Sequence, residues 1–309
     1  MRGGLLGLPP APRGVTAETA GLTNLTVLRA RAALLESPDA PAGIDDALRL
    51  ARRGLGLVRE GRAGAGLDTL RAAVSLAPRD IVIGNAYRMA VFHLKRAALA
   101  DSSSRTTLAE TLPPMLAHEP FALFERLRRE RPSREVTLQL ALAWVDQLLL
   151  FHALEIAAPS SVSSVDLFTE ILDAEPAFVP ALYGRGLNYL HRPARLVWPE
   201  SRKAAPDAAS HDIGLAVAIG RKVGGASPRL VGTLALALGD AYAKEGKLER
   251  ARSWWQIAQN ADRAAGTRDA VKLRLGWPNA EVRDRLEDEL ARRMLDVEHP
   301  LTDLAVMWR

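Results

Sequence analysis

The chain contains no cysteine. That absence excludes thiol catalysis, zinc–thiolate centres, iron–sulfur clusters, disulfides and an acylated lipoprotein anchor. Aromatic residues are scarce, at 5%. Apolar residues nevertheless make up 48% and charged residues 25% of the 309 positions, a globular balance that excludes wholesale disorder and collagen-like sequence. Charge of one sign is lacking too. Lys and Arg number 41 against 36 Asp and Glu, a net charge of +5, whereas a strong nucleic-acid binder carries a clustered basic face. The densest basic cluster, Arg126, Arg128, Arg129, Arg131 and Arg134, is diluted by Glu125, Glu130 and Glu135 and reads as a solvated helix face. No apolar run approaches the ~20 residues that span a bilayer. The N-terminus has neither the apolar stretch nor the cleavage site of a signal peptide. The expected compartment is cytoplasm or periplasm, with neither favoured.

What is present is helical pattern. Residues 1–21 are rich in Gly and Pro, without periodicity, and read as a flexible tail. From Leu22 onward the segments read as amphipathic helix, and Ile81-Val82-Ile83 is the only β-branched run. Helices are expected near 43–59, 63–76, 82–100, 118–130, 134–157, 162–174, 178–191, 207–223, 229–244, 247–263 and 279–296. Short linkers with Pro or Gly favour antiparallel neighbours. A helical domain over 22–278 is expected, interrupted by irregular insertions at 101–117 and 192–206. Residues 279–309 read as a capping helix and tail, with Val282, Leu286, Leu290 and Met294 on one stripe.

Regular helical hairpins call for a search for repeats. The clearest unit, 232–265, carries Leu238-Gly239, Tyr242, Gly246, Ala251, Trp255 and Ala258. Gly239 and Ala251 let two helices approach, Tyr242 and Trp255 fill the space around them, and Gly246 ends the first helix. Unit 47–80 has Gly54, Leu57, Gly61, Leu70, Ala73 and Pro78 in the same places, with Gly66 at the close contact. In 168–191, Phe168 and Pro176 end one unit while Leu182, Tyr183, Gly186 and Tyr189 begin another. This pattern resembles the tetratricopeptide repeat (TPR), a helix-turn-helix of about 34 residues. The resemblance implies an all-α fold: a right-handed superhelix of antiparallel hairpins, an α-solenoid, closed by a C-terminal capping helix.

Catalytic motifs are missing. There is no Walker loop, no Gly-x-Ser-x-Gly elbow and no His-Glu-x-x-His. The six histidines are scattered singly. His152 and Glu155 stand three apart and read as a surface contact rather than a metal pair. His211-Asp212 reads as a helix start with Ser210 as its cap. Tryptophans 254, 255 and 277 read as core. No enzyme, cofactor or metal is expected.

In TPR proteins the first helices of successive hairpins line a concave groove. The resemblance implies that Val82, Asn85, Met89, Phe92 and His93 lie on that face in one unit. Pro180, Tyr183, Leu187, Leu190 and His191 do so in a second, and Thr233, Leu236, Asp240, Ala243 and Lys244 in a third. Arg88 and Arg185 occupy positions normally held by Leu, Gly or Ala, where an unpaired ion costs several kcal/mol. Each must therefore snorkel to water, pair with a carboxylate, or share an anionic ligand site with Asn85 and Asn188. The resemblance implies a non-catalytic scaffold for a protein or peptide partner. The alternatives are a carrier of a small anionic solute, with Arg185 and Trp198 in an enclosed pocket, an RNA-binding repeat, which the mixed charge disfavours, and an enzyme in which His152 or His211 meets carboxylates.

Overall fold

The structure, a computed structural model, describes residues 7–23, 25–37, 42–100, 114–150, 154–192, 205–224 and 226–293. Among these residues there are helices and turns and no strand. Residues 1–6, the bulk of both expected insertions, His152, Trp198, Met294 and the tail beyond it lie outside the described residues. The chain divides into two compact units. One is Val27–Leu167; the other joins Met1–Thr26 to Phe168–Arg309.

The first unit contains α1 (Leu25–Glu36), α2 (Asp46–Arg59), α3 (Ala63–Leu76), α4 (Ile81–Ala100), the single turn α5 (Pro114–Ala117), α6 (Phe121–Glu130), α7 (Arg134–Leu150) and the start of α8 (Leu154–Ala174). Asp45 caps α2 by accepting from the Leu48 N–H at 2.8 Å, which satisfies one orphan donor of the first turn. Its carboxyl is held below the usual value: burial works to raise it, and the Leu48 amide and Arg31 outweigh that. Asp80 caps α4 in the same way through the N–H groups of Val82 and Ile83, each at 3.0 Å. Arg31 bridges the two caps, bonding Asp45 at 2.6 Å and also Asp80.

The hairpin α2–α3 is TPR-like in its close contact. A Cβ at Gly54 would stand 2.6 Å from the Leu70 Cγ, and one at Gly66 would stand 2.9 Å from the Gly54 carbonyl oxygen. Only glycine fits both sides of this crossing. Leu48, Ala51 and Leu57 on α2 close over Leu67, Leu70, Ala73 and Val74 on α3.

The second unit contains the end of α8, α9 (Val179–His191), α10 (Ala208–Val223), α11 (Pro228–Lys244), α12 (Leu248–Ala261), α13 (Ala265–Leu275), a 3-10 turn at Asn279–Glu281 and α14 (Val282–Arg293). Ser227 caps α11 through the Leu230 N–H at 3.0 Å. The α11–α12 hairpin repeats the turn of α2–α3. Gly61 and Gly246 both have φ of +78°, and the residue after each donates to a carbonyl five back, Arg62 to Leu57 and Lys247 to Tyr242. This Schellman-type turn requires the left-handed residue. At the crossing, a Cβ on Gly239 would collide with the Trp255 ring.

Three expectations are corrected here. Residues 7–22, expected as flexible tail, pack on the second unit. Ala20 and Leu22 are fully buried, the Ala20 carbonyl accepts from the Val179 N–H at 3.1 Å, and the Pro12 carbonyl accepts from Lys222 at 2.6 Å. A Gly- and Pro-rich segment has no helical period, yet it still supplies apolar side chains and main-chain acceptors. The helix break expected at 158–161 is absent, since α8 runs on from Leu154. α10 begins at Ala208, so Ser210 lies inside its first turn, donating to the Asp207 carbonyl at 3.2 Å. Helix α13 was not anticipated. The stripe Val282, Leu286, Leu290 is buried, and α14 uses it to pack against α11 and α9. No described helix is long and apolar enough to cross a membrane.

Candidate functional site

In the first unit the candidate residues lie on α4, whose first three turns are buried. Arg88 has no exposed surface. Its Nη1 donates to both oxygens of Asp146 on α7, at 2.6 and 2.5 Å, and its Nη2 donates to the Asn85 Oδ1 at 2.9 Å. A buried guanidinium is tolerable only when such bonds replace its hydration. Met89 and Phe92 are buried beside it, whereas His93 is exposed.

Two further ionisable groups flank this pair. Tyr87 donates to Glu119, which also bonds Arg71. The phenol is pushed well above its ordinary value, first by burial and then by the Glu119 carboxylate. Lys95 is only 3% exposed. It makes no ion pair among the described residues and rests instead over the Phe121 ring, 5.5 Å from its centroid. Burial pushes the amine down to about 8, with Asp146 and Glu119 offsetting part of that effect.

In the second unit Arg185 meets Asp212 on α10. Its Nε lies 2.7 Å from Oδ2 and its Nη2 3.0 Å from Oδ1, while Nη1 reaches the Thr169 hydroxyl at 3.2 Å. Burial works to lower the guanidinium pKa and the Asp212 carboxylate outweighs it, so the net shift is upward. Arg88 and Arg185 thus have separate carboxylates in separate units. Tyr183, Leu187 and Asn188 are buried on the same helix as Arg185.

Asp240, expected on the groove face, is an interior acceptor. It takes the Trp255 indole N–H at 2.8 Å and two bonds from Arg274 on α13. Lys244 donates to the carbonyls of Leu190 and Arg192 at 2.7 and 2.5 Å and pairs with Glu287 of α14 at 3.1 Å. Its amine is lowered, chiefly by burial. The face of α9 and α11 that the TPR resemblance assigns to a groove therefore carries α14. His211 is exposed and 3.3 Å from Asp212, a carboxylate already taken by Arg185. Among the described residues no group of three His, Asp or Glu could hold a metal.

The sequence names Asp212 and Asp240 in other roles and does not single out Asp146 or Glu119 as partners. Asp146 did leave a signal, as the only charge between Val136 and Leu150.

An open groove of about 540 Å³ lies where two interhelical turns meet in the first unit, lined by Pro78, Arg79, Asp80, Glu130, Arg131 and Pro132. Arg79 and Glu130 are exposed on its rim.

No protein-family profile matches the chain. No curated protein matches it either. Among solved structures, the crystal structure of a thermophilic TPR protein from Thermus thermophilus is similar at 16% identity, covering 73% of this chain and 97% of that one with a TM-score of 0.47. The hairpin contacts and turns set out above make the fold all-helical and TPR-like.

Proposed function

We propose that the chain is a non-catalytic scaffold that holds a protein or peptide partner. The observation that carries this reading is the use made of buried charge. Arg88, Arg185 and Arg274 each meet a carboxylate on another helix. Charge spent in this way locks helices in register. The open groove between Pro78 and Pro132 offers an extended peptide a rim of both signs, Arg79 and Glu130. The analogy with other helical repeats is one of fold and names no client. The small-anion carrier is disfavoured, because it needs an Arg185 that Asp212 already occupies.

The test is affinity capture from native lysate with mass spectrometry, comparing wild type with the surface double variant Arg79→Glu, Glu130→Arg. A protein retained by the wild type and lost by the folded variant supports the reading. Capture of no protein, together with a metabolite that raises the melting temperature, would replace it with the small-ligand carrier.

A further inference from the structure

Residues 7–22 cross the second unit in two unlike parts. The later part is an anchor: Ala20 and Leu22 are fully buried, and the Ala20 carbonyl takes the Val179 N–H at 3.1 Å. The earlier part, Gly7-Leu8-Pro9-Pro10-Ala11-Pro12-Arg13, is shallow. None of its residues is buried. From Gly7 to Val15 no main-chain group bonds another among the described residues. Leu8, Pro9 and Ala11 each precede a proline, which drives them to extended backbone, and each proline fixes its own φ. The run is thereby preformed as polyproline II, the low-entropy shape in which proline-rich ligands are recognised.

The run lies along α10. A Cβ on Gly214 would stand 3.2 Å from the Pro9 Cδ and 3.5 Å from a Leu8 methyl, so this glycine makes the seat for Leu-Pro. Further along the same helix, the Lys222 ammonium donates to the Pro12 carbonyl at 2.6 Å. Gly214 to Lys222 spans about 12 Å of helix, and Pro9 to Pro12 about 9 Å of polyproline II. A lysine side chain covers the difference. Gly7 rests against the Arg250 guanidinium of α12.

The charge at the Pro12 end does not suit its occupant. Arg13 follows Pro12 directly, and Arg221 stands next to Lys222. All three cations are exposed, and none meets a carboxylate among the described residues. A negative side chain after the last proline pairs with Lys222, where Arg13 adds a like charge. A tethered segment holds its site at an effective concentration of order mM, so a free segment of the same sequence competes poorly. A partner displaces it through a contact that the chain's own segment lacks, and charge supplies that contact. A second copy of the chain brings the same arginine and has no such advantage.

We propose that this track on α10 docks a partner's proline-rich segment in which an acidic residue follows the last proline, and that residues 7–13 cover the track in cis until such a segment displaces them. The anchor at Ala20 and Leu22 stays in place throughout. The site is separate from the groove between Pro78 and Pro132 and does not depend on it.

The test uses the full chain and two fluorescein-labelled peptides. One has the sequence of residues 7–14, and the other has the same sequence with Arg13→Glu. In the chain itself, Leu8→Ser with Pro9→Ser loosens the covering segment at two partly exposed positions. Anisotropy should show saturable binding of the acidic peptide to the loosened chain. It should bind about threefold to fivefold tighter than the basic peptide, as an exposed ion pair allows. Wild type should bind the acidic peptide about tenfold or more weakly than the loosened chain does, because its own segment competes. Lys222→Glu, at an exposed position, should reverse the order of the two peptides. If the loosened chain fails to fold, Leu8→Ala alone gives the same comparison at smaller amplitude. A folded loosened chain that binds neither peptide overturns the proposal. Equal affinity in wild type and loosened chain does so too, since the peptide then sits elsewhere. Equal affinity for the two peptides overturns the acidic assignment. A wild type that sediments as a dimer, beside a loosened chain that does not, gives the track to a second copy and overturns the partner.

Discussion

Arg274 is clamped by Asp240: its Nε lies 2.6 Å from Oδ1 and its Nη2 2.8 Å from Oδ2, with none of the arginine exposed. The same carboxylate accepts the Trp255 indole, so one residue on α11 holds both α12 and α13. Removing one member of a buried pair strands the other, at a cost of about 3–5 kcal/mol. Asp240→Ala should lose about that much in urea denaturation. Adding Arg274→Met should restore more than half of it, because no charge is then left unpaired.

Arg88 and Asp146 set up the companion test. If the pair is structural, Arg88→Leu leaves Asp146 buried and unmatched and lowers stability by about 3–5 kcal/mol. Arg88→Leu with Asp146→Leu should lie close to wild type. A stable Arg88→Leu single variant that fails to capture a client would point instead to a ligand role for the guanidinium.

These pairs explain what the sequence could and could not reveal. The spacing of Gly239, Gly246 and Ala251, matched by Gly54, Gly61 and Gly66, was legible because a close crossing and a left-handed turn admit few residue types. The stripe Val282, Leu286, Leu290 was legible because apolar burial imposes a period. Helix α13 lacked that stripe. It buries Thr267, Val271 and Arg274, and a helix anchored through an arginine leaves no apolar pattern. The partners of two expected groove residues were hidden for another reason. Asp240 and Lys244 fall on the expected face of α11, but the register cannot tell that α13 and α14 supply their partners from more than thirty residues away.

The glycines divide by their surroundings. Gly56 lies within α2 and a Cβ there would meet nothing within 4 Å, so Gly56→Ala should stabilise by about 0.5–1 kcal/mol through backbone entropy. Gly239→Ala drives a methyl into the Trp255 ring and the Ala251 carbonyl. It should destabilise by about 1–3 kcal/mol. Melting curves of the two variants should therefore shift in opposite directions.

Helix α14 is tied to α11 by Lys244 and Glu287. Glu287→Lys puts a second cation beside an amine already lowered by burial. Hydrogen exchange should then speed up across Val282–Arg293, while the α2–α3 hairpin in the other unit keeps its protection. Unchanged exchange in α14 would mean that Val282, Leu286 and Leu290 hold it without help from the ion pair.

Lys95 gives the stability a pH slope of known sign. Its folded-state value of about 8 lies below the ordinary 10.5, so between those values the unfolded chain binds the extra proton. Stability contributed by this site therefore rises with pH across that window. Below about pH 8 the penalty of burying the ammonium is fully present, on the order of 3 kcal/mol from the size of the shift. Above about 10.5 it is gone. Lys95→Met keeps the length of the side chain and removes the charge from the ring of Phe121. At pH 7 the variant should be more stable than wild type by a part of that amount, since the cation's contact with the ring is also lost. Its advantage should shrink steadily as the pH approaches 10. Urea midpoints of both proteins measured at several pH values read the difference directly. A constant offset would mean that the amine is charged over the whole range, hydrated despite its burial between α4 and α6.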